Sequence, residues 1–531
     1  MTDIEPDRFD AHIHWYPVAA SREVGDGRIV QSFLDGHELA LWRSADGVAH
    51  AWENRCPHRG TRFSLGWIDG DTLSCAYHGW RFGKDGACTY IPAKPKLSPP
   101  RSACAKTYAV REEGGLIWAT LGDASWRGIG DVRMPNAFCR SFVVYRSPRV
   151  TRAFLRDHFA AVCMDGAMME RRDESGARHV LFLQPISDEQ TVLYLWIDTE
   201  DEAGSAAHIE ATLRAAHAFK ALHTQLEADV QYASVGSRTM SDARHQATQD
   251  GAPVDEWFVV SAAARVGTTP LRTALLGRPL AVWRDALTGE PVAAPDTGVP
   301  ERHHAIDRYG YTWVALAEPR RALFTLPQYD QPGRRIVDCG AFGVHTSGPR
   351  VIENFLDMGH FPYVHAGILG EEPHTEVKDY KVHEDEHGEL WATDCAFWQP
   401  RAAAAADAGM DVDYAYRVPN PFCALLYKTS PRMPAERDVI ALFVQPLSEV
   451  ESRVHFLMLL FDDEHDNRAL VSFQQTIFGQ DKPILESQLP KRLPLDARAE
   501  VSTRADAMSM AYRRWLKARG LGYGVEVKSS R

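Results

Sequence analysis

Between residues 30 and 122 apolar and polar positions alternate in short runs broken by frequent Gly and Asp, and this period of two predicts a domain of short strands. Residues 178 to 200 show the same period on either side of a polar turn and predict a hairpin, and residues 437 to 461 predict a second one. Near the end, Thr503 and Asp506 stand where they can cap a helix that carries Met508, Tyr512 and Trp515 on one face and stops at Gly520. The chain therefore reads as α+β, with strand-rich domains and an antiparallel sheet covered by helices.

Parts of the pattern occur twice. Trp15-Tyr16-Pro17-Val18-Ala19-Ala20 returns as Trp257-Phe258-Val259-Val260-Ser261-Ala262, 242 residues on, and Gly36-His37-Glu38-Leu39-Ala40-Leu41-Trp42-Arg43 returns as Gly277-Arg278-Pro279-Leu280-Ala281-Val282-Trp283-Arg284, 241 residues on. Pro148-Arg149-Val150 matches Pro349-Arg350-Val351 at 201 residues, and Gln184-Pro185 matches Gln445-Pro446 at 261. The changing offsets read as a tandem duplication whose second copy lacks about forty residues between Trp283 and Trp313, and whose first copy lacks about sixty between Val150 and Gln184.

At 531 residues and 45% hydrophobic content the chain is long enough for two or more domains with a sizeable core. A formal charge of -12 with no basic run argues against nucleic acid or an anionic membrane as partner. No apolar stretch approaches a membrane span and the start is acidic, so a cytoplasmic protein is expected. Nine Cys do not suggest a disulfide framework; two have another use, and the other seven, such as Cys395 and Cys423, are expected to be buried thiols.

Those two belong to a pair of short motifs, Cys56-Pro57-His58 and Cys75-Ala76-Tyr77-His78. Two loops that each offer one Cys and one His are what a Rieske [2Fe-2S] centre needs, with thiolates on one iron and imidazoles on the other. A Cys2His2 zinc site uses the same four donors, but zinc fingers usually pair Cys with Cys and His with His. Pro57, Gly60 and Gly79 supply turn chemistry, and Trp80 is placed to shield the cluster. The strings CPHRG and CAYHGW resemble the Rieske domains of bacterial ring-hydroxylating oxygenases, and neither loop has the extra Cys of the respiratory type.

Three hundred residues downstream, Asp357-x-x-His360-x-x-x-x-His365 offers two imidazoles and a carboxylate, the set that leaves open positions on Fe(II). A five-residue step puts the two rings about 140° apart on an ideal helix, so Pro362 is expected to break the helix between them. This segment resembles the mononuclear iron motif of Rieske oxygenases. The resemblance implies His360 and His365 as ligands and Asp357 as a bridge from His360 to His78, a contact made between neighbouring subunits in that family. It also implies a downstream carboxylate as third ligand, for which Asp481 fits and Glu486 is the fallback. Asn354 is a further candidate catalytic residue.

The first copy's counterpart of this segment runs from Phe154 to Cys163, with Arg156 in place of Asp357 and Cys163 in place of His365. The resemblance thus implies two oxygenase alpha subunits joined head to tail: a Rieske domain over 1–125, a degenerate helix-grip catalytic domain over 126–250, a truncated Rieske-like domain over 251–325, and an iron-bearing catalytic domain over 326–531. It implies a [2Fe-2S] cluster, mononuclear Fe(II), O2 and a small aromatic or heterocyclic substrate, with monooxygenation or oxidative demethylation ahead of cis-dihydroxylation. An electron-transfer or scaffold protein without turnover is the reading from another class. No dinucleotide motif is visible, so a separate reductase or ferredoxin is expected, along with a homo-oligomer, a trimer by preference.

Overall fold

The computed structural model describes residues 9–126, 128, 133–158, 162–164, 167–173, 176–228, 251–297, 301–401, 409–462 and 465–527. The front of the chain forms a six-stranded antiparallel sheet in the order Tyr16–Ala20, Leu116–Thr120, Thr107–Glu113, Ala49–Glu53, His37–Arg43, Val30–Leu34. Its side chains alternate between two cores: Leu39 and Leu41 face one, while Ala40 and Trp42 face the other with Cys56 and Cys75. A second sheet of four very short strands, Trp67–Asp69, Thr72–Ser74, Arg81–Phe82 and Cys88–Tyr90, lies on that second side.

A five-stranded sheet follows, with the predicted hairpin at Arg178–Ser187 and Gln190–Ile197 and the helix Ala206–Ala228 packed against it. Two three-stranded sheets then span Phe258–Ala315, and a seven-stranded antiparallel sheet runs in the order Arg335–Val344, Ser452–Leu460, Arg437–Pro446, Cys423–Thr429, Met410–Asn420, Leu390–Gln399, Lys381–Glu384. Period-two alternation again divides its faces. Leu425, Tyr427 and Phe443 pack on Trp257 and Trp313, while Tyr414, Tyr416 and Leu442 face Phe478 of the helix Asn467–Ser487. The C-terminal helix runs over Ala507–Ala518 after a 3-10 turn at Arg504–Asp506, with Thr503 and Asp506 forming the capping box.

Corresponding contacts recur in the two halves. Arg43 donates to the carbonyls of Val24, Gly47 and Ser21 and pairs with Glu112; Arg284 donates to Val266, Gly289 and Ala263 and pairs with Asp307. Gln184 bonds Ser32 and the Phe33 carbonyl as Gln445 bonds Thr273 and the Ala274 carbonyl. Among the described residues nothing corresponds to the four-stranded sheet between Pro291–Pro295 and His304–Arg308. The expectation of seven buried thiols needs correction: Cys339, Cys395 and Cys423 are buried, but Cys88 and Cys139 are partly exposed and Cys104 is exposed, because the latter three lie on short or edge segments.

Candidate active site

The two Cys/His loops are built alike. The amide of Cys56 donates to the Thr61 carbonyl and that of Gly60 to Cys56, just as Cys75 donates to Trp80 and Gly79 to Cys75. Gly60 and Gly79 close these turns at positive φ, 73° and 64°. Both also sit where a Cβ would collide with the rear half: 2.0 Å from the Leu489 carbonyl oxygen and 2.1 Å from the Tyr363 ring, respectively. Cys56, His58, Cys75 and His78 are all buried. The His58 and His78 rings lie 4.3 Å apart, and Trp80 stacks on His58 at 4.2 Å and 10°. Burial and the adjacent Cys75 push the Cys56 thiol up. The buried Nδ1 of His58 has no partner while its Nε2 is held by Asp506. Adjacent thiols and a free inward ring nitrogen fit a cluster held by Cys56, Cys75, His58 and His78.

In the rear half, His360 and His365 flank a one-turn helix, Phe361–Val364. Pro362 starts this helix rather than breaking one, since a ring that lacks an N–H is tolerated in the first turn. The turn brings His360 Nε2 to 3.2 Å from His365 Nε2. Asp481, on the helix Asn467–Ser487, places Oδ1 at 3.4 Å from the first and 3.2 Å from the second. Metal bonds of about 2.0–2.2 Å at right angles separate their donors by about 3 Å, so the triangle fits a single ion. Glu486 is not part of it: its carboxylate accepts from the His345 amide and pairs with Lys482, five residues further round the helix. Burial acts to raise the Asp481 carboxyl, but the facing His365 and His360 rings hold it low.

Each ring is oriented from behind. His365 Nδ1 lies 2.9 Å from Gln480 Oε1, and His360 Nδ1 lies 2.6 Å from Asp357 Oδ2. The same Asp357 oxygen is 3.0 Å from His78 Nε2, so one carboxylate touches both imidazoles within a single chain. Burial would raise that carboxyl; His78 and His360 hold it well below the usual range. Asn354 donates its amide to both Tyr77 Oη and Asp481 Oδ1. Asp506 divides its oxygens: Oδ2 accepts from the Thr503 amide and hydroxyl, while Oδ1 takes His58 and Arg59. Around them Arg350, Arg513, Glu353 and Glu500 form a buried ion-pair network.

The triad opens on a cavity lined by Phe361, Tyr414, Tyr416, Phe456 and Phe478. Of the aromatics between 397 and 422, Tyr414 and Tyr416 line it; Phe397, Trp398 and Phe422 do not. Sequence reasoning missed Gln480 and Tyr77, whose signal was only adjacency to a named residue, and saw in Asp506 a helix cap alone. In the first half Arg156 is exposed and pairs with Asp157. Phe159 to Ala161 and the Cys163 side chain lie outside the described residues.

Comparison with known proteins matches two separate parts of the chain. Residues 14–108 match the Rieske [2Fe-2S] domain family, and residues 344–520 match the vanillate O-demethylase oxygenase C-terminal domain. Probable methylxanthine N7-demethylase NdmC of Pseudomonas sp. (strain TJI-51) is 43% identical over 274 residues, 51% of this chain and 96% of that protein. Oxidoreductase NdmD of Pseudomonas putida is 41% identical over 127 residues, 23% of this chain and 22% of that protein. NdmA of Pseudomonas putida CBB5, a solved structure, aligns over 98% of this chain and 97% of its own at 16% identity and a TM-score of 0.29. Among the described residues no helix is long and apolar enough to cross a membrane. With a near full-length relative at this identity and both family domains present, the chain belongs to the Rieske non-haem iron oxygenases.

Proposed function

We propose that this chain is a demethylase in which the cluster site of the front half serves the iron site of the rear half without help from a second copy. The observation that carries this reading is the double contact of Asp357, with His78 on one side and His360 on the other, inside one polypeptide. In this reading Cys56, His58, Cys75 and His78 hold the cluster, and His360, His365 and Asp481 hold the iron. When bound, the cluster supplies electrons and the iron supplies O2 activation. The protein's own part is positional: Asp357 locks the two imidazoles into one hydrogen-bonded unit, Gln480 sets the His365 ring, and Asn354 ties Asp481 to Tyr77. The aromatic cavity excludes water and holds a flat substrate with its methyl group toward the triad.

The substrate class we propose is an N-methylated heteroaromatic compound, by likeness to a protein named as a methylxanthine demethylase; a separate reductase supplies the electrons in the cytoplasm. The recurrence of Arg43 contacts at Arg284, and of Gln184 contacts at Gln445, supports a tandem origin with the domains divided near 125, 250 and 325. A relative that spans 51% of the chain yet nearly all of itself supports the same division into two subunit-like halves. The contact that motivated a trimer is made inside the chain, so turnover needs no neighbour.

Mixed assemblies test this. A Cys75→Ser chain and a His360→Ala chain are each expected to be inactive, and co-expressing them should restore no formaldehyde release from methylated xanthines. Recovery of activity in the mixture would show that electrons cross between chains and remove the single-chain reading.

A further inference from the structure

The two imidazoles of the cluster site lead to different places. His78 Nε2 reaches Asp357 and, through it, His360. His58 Nε2 reaches Asp506 Oδ1 at 2.8 Å, and Asp506 Oδ2 in turn takes the Thr503 hydroxyl at 2.9 Å. Arg59, next to His58, donates to the Ser502 hydroxyl as well. Ser502 and Thr503 are partly exposed, and both line a groove that segment 97–100 shares with the helix Ala507–Ala518. Two hydrogen bonds thus connect the wall of this groove to His58.

The groove is apolar in part and basic in charge. Leu97, 45% exposed, lines it with Val382, Ala507 and Met510, and so do the exposed Arg504 and Arg514. Ala507, Met510 and Arg514 follow one another at steps of three and four residues, which makes one stripe of the helix. None of the described residues that line the groove is acidic. Lys96 and Arg101, exposed on either side of segment 97–100, add two more cations. Among the described residues none of these four cations forms an ion pair. The nearby Asp379 carboxyl is already held low by Lys94, its partner at 2.6 Å, with Arg504 adding to the effect. In a chain of formal charge -12 this is a local reversal of sign, assembled from two distant segments.

Exposed cations around a small apolar centre draw in an acidic partner from a distance and give it an apolar contact on arrival. A carrier seated here is close to the cluster site and leaves the Asp357 contact untouched. We propose that this groove is the docking surface for the electron donor, an acidic one-electron carrier protein. The carrier is oxidised by one electron at each encounter, and that electron passes to the cluster on the His58 side. This rests on the separate reductase of the reading above and on no particular substrate.

An acidic plant-type [2Fe-2S] ferredoxin tests it on the holoprotein, since its potential lies below that of a Rieske centre. Calorimetry should show the wild-type protein binding this ferredoxin at low salt and losing about tenfold in affinity by roughly 0.3 M salt. Arg504→Glu and Arg514→Glu should each weaken binding by about tenfold or more and slow ferredoxin-driven bleaching of the cluster's visible absorption to match. Lys220→Glu, an equal change of charge at an exposed position of the helix Ala206–Ala228, should alter neither by more than about twofold. Excess dithionite should bring all four proteins to the same reduced end point, which shows that their clusters are intact. An equal loss in Lys220→Glu, unaltered binding in both arginine variants, or no binding by the wild-type protein overturns the proposal. Neither measurement contains substrate, so a failure to demethylate leaves these outcomes readable, and a failure to dock leaves the demethylase reading standing.

Discussion

The two halves share a frame and differ in what hangs from it. Arg43 and Arg284 clamp the same three carbonyls and one acid in each half, yet only the front frame carries the small sheet that presents Cys56, His58, Cys75 and His78. The rear half extends its main sheet to seven strands against five and buries Asp357 where the front helix exposes Arg156. The candidate chemistry therefore lies on segments between these corresponding contacts, and the packing recurs where the site does not. What remains in each half is the part that touches the other: Gly60 against Leu489, Gly79 against Tyr363, His58 against Asp506 and His78 against Asp357.

The sharpest way to break this comparison is to empty one half. Cys75→Ser is expected to lower iron from about three to about one per chain, abolish the cluster's visible absorption and stop turnover, while the His360, His365 and Asp481 site still binds its ion. Loss of both metals together would show that the halves do not hold their sites separately. Next in size, Asp357→Asn should leave both metals bound and slow single-turnover oxidation of the reduced cluster ~10–100-fold, measured by stopped-flow absorbance; an unchanged rate would take Asp357 out of the electron path.

Smaller effects sharpen the shared frame. Arg43→Met and Arg284→Met should each destabilise the chain by about 1–3 kcal/mol, read as matching shifts in thermal unfolding. A loss in only one half would mean that the equivalent bonds are not equivalent in weight. Smallest of all, Arg156→Asp should change stability by less than about 0.5 kcal/mol and activity by less than twofold, because Arg156 is exposed and, among the described residues, no second group of metal-binding side chains lies there for a carboxylate to join. A gain of metal by that variant would show that the front half still holds a latent iron site.

Much of the candidate site was legible because its donor groups are local. Turns need Gly at fixed places, and two donors in one loop are separated by two or three residues, so Cys56 to His58 and Cys75 to His78 announce themselves. The hairpins and the capped C-terminal helix were legible for the same reason, since a period of two or a capping box acts over a few residues. The helix break assigned to Pro362 was misplaced by one element, as a proline serves the start of a helix as readily as its end.

What the sequence by itself marked out, then, is the two Cys/His loops, the recurring pattern around them and the pair of histidines downstream. Only the tertiary structure decided that Asp481 and not Glu486 faces those histidines, that Asp506 spends one oxygen on its helix and the other on His58, and that His78 reaches Asp357 across 279 positions of one chain. The reason is physical: local spacing fixes which donors one turn can bring together, whereas contacts between distant segments depend on how whole faces pack, and no short pattern records that.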